Sequence, residues 1–336
     1  MITIHEIDDE HTYETEISQS VGVTGYHHWF FLMAMAEALQ LKFRAFAVDS
    51  NGERLGVVPL LFRRRGIVST VNYLPINCVG PLPRGETLRT GRIPELVSAV
   101  EPVLRRELTA LTMWGFAPGL NVRAGLRELR GFELTDSESY VIPATKSIDD
   151  CLKSMSRVRR QSIRQSEGHG AFVADSTTEE IKHWLPGQIM GAFQRQGTYG
   201  GYKLAEVRTL TERLATHPRM LWRTARSKDD EVLGITGCIV GEDRLWGWIM
   251  AGPPTPGISA HSLIYWNMIE WALPRGLSYD LGGVPTEGIR KFKISMGAEL
   301  ETCVSALRIR PRAYKAGRAS YNWAMTRLVA RKNEQG

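Results

Sequence analysis

The sequence predicts an α/β (α+β) fold of two tandem halves, each a mixed sheet flanked by helices. Three observations predict it. The chain has 336 residues, enough for two domains of ordinary size. Hydrophobic residues make up 43% and charged residues 23%, so both halves have the material for a packed core. One order of elements also runs twice: a three-stranded meander, a Gly/Pro loop, a long helix, a strand, a helix and a strand. Sequence markers coincide between the copies. Leu55-Gly56 answers Leu233-Gly234 in the second strand of each meander, and Gly131-Phe132-Glu133-Leu134 answers Gly297-Ala298-Glu299-Leu300. A repeat of about 150–180 residues is domain-scale rather than a solenoid. The halves are expected at residues 1–145 and 146–310, joined near Pro143 to Asp150, with residues 311–336 as a basic C-terminal helix.

In the first half, Thr12 to Ser20 reads as a short helix and Gly25 to Leu39 as a second, strongly apolar one. Three strands follow: Phe43 to Asp49, Leu55 to Phe62 and Ile67 to Tyr73. Asn51-Gly52 is a hairpin signal between the first two. Asn77 to Pro83 is a Gly/Pro loop. Ile93 to Leu108 carries Leu96, Val97, Val100, Val103 and Leu104 at helical spacing. Leu111 to Trp114 is a strand, Gly119 to Leu129 a helix stopped by Gly131, and Phe132 to Ile142 a strand.

The second half opens with a basic helix, Asp149 to Glu167, and a strand, Gly170 to Asp175. Thr178 to Gln196 and Leu204 to Thr216 are helices. The meander returns as Met220 to Arg226, Val232 to Val240 and Arg244 to Ala251. After the loop Gly252 to Gly257 come a helix (Ser259 to Leu273), a strand (Leu277 to Leu281), a helix (Ile289 to Ser295) and a strand (Leu300 to Ile309). An antiparallel meander followed by strand–helix alternation makes each sheet mixed.

Composition excludes several classes. The longest apolar runs, such as Trp29 to Ala36, are far short of a membrane span. The N-terminus is acidic and has no basic flank before an apolar core, so no signal peptide is visible. Cys78, Cys151, Cys238 and Cys303 are scattered, which points to a reducing cytoplasm. The formal net charge of +6 permits a polyanionic partner without demanding one. The excess is clustered at Arg63-Arg64-Arg65, at Lys153, Arg157, Arg159, Arg160 and Arg164, and from Arg308 through Arg310, Arg312 and Lys315 to Lys332. Solvated faces explain each cluster taken singly, and three in one chain bring a phosphate-rich ligand level with that explanation.

Common active-site signatures are missing: a Gly-x-Ser-x-Gly elbow, a phosphate loop and a dinucleotide fingerprint. No spacing suggests a metal site; the adjacent His27 and His28 point about 100° apart on a helix. No cofactor is implied.

The most informative stretch is residues 277–300, LSYDLGGVPTEGIRKFKISMGAEL. A strand ends in Asp280-Leu281-Gly282-Gly283. A short helix carries Phe292-Lys293, and Gly297-Ala298-Glu299 follows. This arrangement resembles the C-terminal signature of the FemABX-type transferases, and the doubled element order from about Gly25 to Ile309 is similar to their two acetyltransferase-like (GNAT) halves. The resemblance implies an aminoacyl-tRNA donor and an acceptor amine on a small metabolite or peptidoglycan precursor. It implies a catalytic role for Lys293, with Phe292, Arg195, Tyr199 and Trp246 or Trp248 around the acceptor. Basic residues would hold the tRNA: Arg157, Arg160, Arg164, Lys291, Arg308, Arg310, Arg312 and Lys315. The chain departs from the family where many relatives carry an acidic residue after the fifth strand of the first half. Met113-Trp114-Gly115-Phe116 stands there, so no general base is named. Neither VGPLPRGETLRTGRIP nor AGPPTPGISAHS matches the pyrophosphate loop of acetyl-CoA-using GNAT enzymes, and Pro253, Pro254 and Pro256 remove backbone donors. Two alternatives stay open: an N-acyltransferase using acyl-CoA or an acyl carrier protein, and a non-catalytic module that binds RNA or a partner.

Overall fold

The structure, a computed structural model, describes residues 1–65, 68–74, 78–195, 197, 201–283 and 286–310. Tyr199, Arg312, Lys315 and the expected C-terminal helix lie outside the described residues, as do Ile67, Asn77 and Gln196 at the ends of expected elements. The first half runs β1 (Ile2–Ile7), α1 (Glu10–Ser18), α2 (Trp29–Ala38), β2 (Lys42–Ser50), β3 (Glu53–Arg65), β4 (Val68–Val71), β5 (Leu82–Pro83), α3 (Gly85–Arg89), α4 (Ile93–Ala99), α5 (Glu101–Arg106), β6 (Thr109–Gly115), α6 (Arg123–Arg127) and β7 (Glu133–Ile142). The second runs α7 (Ile148–Ser154), α8 (Arg157–Gly168), β8 (Phe172–Asp175), α9 (Leu185–Arg195), α10 (Leu204–Leu214), β9 (Met220–Arg226), β10 (Val232–Val240), β11 (Arg244–Ala251), α11 (Ala260–Ala272), β12 (Ser278–Gly283), α12 (Glu287–Ser295) and β13 (Glu299–Ile309).

The expected strands are present, and the Asn51-Gly52 hairpin turns with both residues at positive φ, 51° and 85°. Three expected helices are each broken in two. The stretch Gly25 to Leu39 forms a single 3-10 turn at Gly25–His27, an extended His28 and then α2, so His27 and His28 do not share one helix. Pro102 sits in the first turn of α5, where its missing N–H costs nothing, and this splits residues 93–108 at Val100. The basic stretch 149–167 splits at Met155, which is extended, and Ser156 caps α8 by accepting from the Arg159 N–H at 3.3 Å. The edge strand β1 was not expected: its residues are mostly exposed, so it carries no apolar alternation.

One continuous sheet joins both halves in the order β1-β2-β3-β4-β6-β13-β7-β12-β11-β10-β9-β8, with β5 beside β3. Neighbours are antiparallel except for β4–β6 and β11–β12. The order is therefore palindromic about the central β7–β13 pair. The last strand of each half pairs with the other half: β13 lies against β6, and β7 lies against β12. The sheet runs without a break across the boundary expected near residue 145. Core packing follows the exchange. Val304 and Ala306 of β13 are buried in the first-half core with Trp114 and Phe116, and Ile142 of β7 is buried in the second-half core with Tyr279 and Leu281. A third cluster packs Phe31 and Met35 of α2 against Leu210 of α10 and Trp222 and Ile239 of the second meander. No helix among the described residues is long and apolar enough to cross a membrane.

The exchange yields an expected outcome. The full chain should unfold in one cooperative urea transition, whereas a fragment of residues 1–145, lacking β13 between β6 and β7, should show none. Circular dichroism and tryptophan fluorescence on both chains check it.

Candidate active site

Each half contains one place where strands separate: the parallel pair. In the first half the gap beyond β4–β6 is filled by its own chain. The Gly115 N–H donates to Val79 O at 3.2 Å. The Asn72 side chain ties in the adjoining strand, accepting from Leu61 N–H at 2.8 Å and donating to Pro59 O at 3.0 Å. The backbones there touch so closely that a Cβ on Gly80 would lie 2.4 Å from Gly115 O.

In the second half the parallel strands also part early. β11 and β12 pair only at Arg244–Ser278, Leu245–Tyr279 and Trp246–Asp280, and then diverge. A bulge at Trp248 turns β11 away, since Gly237 faces Ile249 while its neighbour Cys238 faces Gly247. At the apex a Cβ on Gly247 would come within 2.8 Å of Asp280 O. Tyr26 reaches over from the first half and donates to Gly247 O at 2.8 Å, so the apex is built by both halves.

Lys293 closes the β12 side. It projects from α12 beneath the strand end and is only 3% exposed. Its ammonium donates to Leu281 O at 2.5 Å, Gly282 O at 2.6 Å and Gly283 O at 2.8 Å. All three of its hydrogens are thus engaged by the carbonyls of the rim. This differs from the expectation of a lysine turned freely into a cleft: as placed, it has no donor left for a substrate oxygen. Burial pulls its pKa from 10.5 down to about 8, against the opposing pull of the Asp280 charge. Asp280 is itself buried, which pushes its carboxyl up. The Ser139 hydroxyl at 2.7 Å, the Gly282 N–H at 2.6 Å and the Arg244 guanidinium at 3.6 Å work the other way. Arg244 also pairs with Glu301 at 2.8 Å. Four adjacent strands, β11, β12, β7 and β13, therefore share one buried polar network.

A cavity of about 650 Å³ opens on the β11 side. It is lined by Met250 to Thr255, Gly257 to His261, Ser162 and Gln165 of α8, and Ala192 and Arg195 of α9. The first backbone bond of α11 runs from Leu263 N–H to Ser259 O, leaving the N–H groups of Ala260, His261 and Ser262 facing the N-terminal end of the helix. Arg195 donates to Gly252 O at 3.1 Å and so braces the proline loop.

The other expected site residues are distributed as follows. Phe292 packs between Tyr265, at 5.3 Å between ring centroids, and the Arg159 guanidinium, 4.6 Å above its ring. Trp246 is buried beside Tyr26, and Trp248 sits edge-on to Phe31 and Trp222, so both belong to the contact between halves rather than to the cavity lining. Arg157, Arg164 and Lys291 are exposed. Arg160 is not free: it donates to Leu152 O at 2.8 Å and Met155 O at 2.5 Å, capping the end of α7. Arg308 and Arg310 both bind Glu101 of α5, on the first half. Sequence reasoning assigned no role to Asp280, Arg244, Ser139 or Tyr26. The available signal was a lone carboxylate inside the buried strand of residues 278–283.

Residues 153–293 match a family model described as an acetyltransferase (GNAT) domain, a match that ends on Lys293. No curated protein matches the sequence. Among solved structures, FemX superimposes with a TM-score of 0.70 at 13% identity, covering 89% of this chain and 96% of FemX. L-PGS from Bacillus licheniformis gives 0.58 at 12% identity, covering 89% and 92%. A tandem GNAT protein from the clavulanic acid biosynthesis pathway gives 0.54 at 11% identity, covering 92% and 99%. At such identities the likeness is one of fold: the chain has a tandem GNAT fold of the FemX kind.

Replacing Lys293 by Met should lower stability at pH 7 by about 2–3 kcal/mol, because three rim carbonyls lose their donor. The lysine's folded pKa, about 8, lies below its ordinary 10.5. The unfolded chain therefore binds more protons between those values, and the wild type should gain stability relative to Lys293→Met as pH rises through that window. Urea midpoints at pH 7, 8.5 and 10 check both statements.

Proposed function

We propose that the protein is an acyltransferase that moves an aminoacyl group from aminoacyl-tRNA to the amine of a small-molecule or peptidoglycan-precursor acceptor, forming an amide bond without a covalent enzyme intermediate. The observation that carries this reading is the splayed β11–β12 pair, with a buried lysine beneath the end of β12, in a chain that superimposes on nearly all of FemX. The Phe292-Lys293 resemblance to the FemABX-type transferases supplies the donor class. A cytoplasmic setting belongs to the reading, supported by four buried free cysteines.

The chemistry asks little of the protein beyond placement. An aminoacyl ester is already activated, so a free amine attacks its carbonyl carbon. The oxyanion then collapses, expelling the ribose oxygen, and the amine proton ends on that oxygen. What accelerates this is orientation and a fixed field where negative charge develops. Lys293 fits as a positioning residue. Its charge is anchored by three carbonyls and backed by Asp280, and it fixes the Leu281 to Gly283 rim of the gap. The 650 Å³ cavity at the start of α11 suits the phosphate-bearing end of the donor, because unbonded helix N–H groups favour anions. Exposed Arg157, Arg164 and Lys291 lie on α8 and α12, elements that Arg159 ties together through Ser295 at 2.9 Å. They would meet further phosphates.

That cavity also favours a second reading, an N-acyltransferase using acyl-CoA. The α11 N-terminus occupies the position at which GNAT enzymes hold the pyrophosphate. The proline loop argues against it, since Pro253, Pro254 and Pro256 remove the loop N–H groups that a pyrophosphate would need beside those of the helix end.

Incubation with a panel of charged tRNAs and with acetyl-CoA should show consumption of one aminoacyl-tRNA and no micromolar acetyl-CoA binding. Stoichiometric acetyl-CoA binding by calorimetry would instead establish the second reading. Arg157→Ala and Arg164→Ala should each flatten the fall of log affinity for tRNA with log salt by roughly 0.7–0.9. A slope equal to that of the wild type removes them from the donor site.

Turnover should decline above about pH 8 as Lys293 loses its proton. Lys293→Met should cost about 100-fold in kcat, and Lys293→Arg, which stays charged, should remove the alkaline limb. A Lys293→Met enzyme with normal kcat and an unchanged pH profile would leave the residue a purely structural role.

A further inference from the structure

A second cavity, of about 470 Å³, lies on the first half, where the end of β13 passes between α5 and the turn before β7. Its charged lining is four arginines, Arg105, Arg130, Arg308 and Arg310, against the single carboxylate of Glu101. Glu101 accepts from Arg308 at 2.7 Å, from Arg105 at 3.2 Å and from Arg310. One carboxylate cannot satisfy three guanidinium forks, each with five N–H donors. The shortfall is visible at Arg308. Its guanidinium lies 4.6 Å over the Phe132 ring, its side chain is 13% exposed, and its Nε is buried without a hydrogen-bond partner. A desolvated donor of this kind awaits an acceptor. Burial lowers the Arg308 pKa, and the Arg310 and Arg105 charges add to that effect despite Glu101, so the cluster's charge is incompletely neutralised.

We propose that this cavity is a phosphate-binding site, distinct from the region where β11 and β12 diverge. The forks are held before any ligand arrives: Arg308 by Phe132 and Glu101, Arg310 by Glu101. Stacked, paired guanidinium groups lose little freedom when they clasp a phosphate in a bidentate manner. Arg130 is exposed at the mouth and supplies a fourth fork. The volume falls within the range of pockets for small organic ligands, so the phosphate is part of a larger molecule. It comes either from the terminal phosphate of a small metabolite or from a phosphodiester of RNA.

The test is calorimetric titration of the full chain with inorganic pyrophosphate at low salt. The comparison is an Arg105→Ala/Arg130→Ala variant, in which two exposed arginines are removed while Arg308 and Arg310 keep Glu101. Saturable binding of one pyrophosphate per chain is expected, weakened at least tenfold in the variant at an unchanged melting temperature. A short RNA without terminal phosphates separates the sources. Displacement of pyrophosphate by that RNA supports a phosphodiester occupant, and retention supports a terminal phosphate. Absence of saturable pyrophosphate binding, or equal binding by the variant, overturns the proposal.

Discussion

Everything in this molecule hangs on the antiparallel pairing of β7 with β13. Nine residue pairs, from Glu299–Val141 to Leu307–Glu133, run along the centre of the sheet. Neither strand belongs wholly to its own half, because each fills the place beside the other half's penultimate strand. The two hydrophobic cores are therefore closed by residues borrowed across the repeat, and the place where β11 and β12 part has a fixed position relative to both. A hinge at residue 145 would break backbone hydrogen bonds along a central pair, where no edge exists to slide.

The repeat is symmetric in topology and asymmetric in chemistry. The first-half gap is plugged by residues 78–83 and Asn72. In the second half β11 and β12 part early, with Tyr26 of the first half placed at the apex. The buried network of Arg244, Asp280, Ser139 and Glu301 lies beside that apex and spans strands of both halves. Such a network is worth its desolvation cost only when every member is satisfied, which fixes the rim that Lys293 caps.

Much of the fold was legible. The second-half meander shows its strands at the residues that alternation and turn chemistry indicate. Helical periodicity overran Pro102 because the apolar positions continue past it, and the basic run 149–167 hid the break at Met155 because it has no apolar stripe to interrupt. β1 was silent because its side chains face water. The strand exchange was invisible for a different reason: a pattern of residues specifies that 299–309 form a strand, but not which neighbours it takes. At the site, Lys293 could be singled out from its motif, whereas its three carbonyl partners depend on the turn at Gly282, with φ of +78°. Arg160 looked like a phosphate ligand because a helix-capping role exists only once the chain has broken at Met155.

The borrowed strand also bears on how the chain emerges from a ribosome. Gly115 of β6 pairs with Ser305, almost at the end of the described chain. The first half therefore cannot close its core during synthesis, and β6 must wait with an unpaired edge until β13 has been made. Such a nascent chain is a candidate for holding by a chaperone, since exposed strand edges recruit other edges. Any ribosomal stall between codons 145 and 299 would extend that exposure, so the yield of folded protein should track elongation speed through the second half.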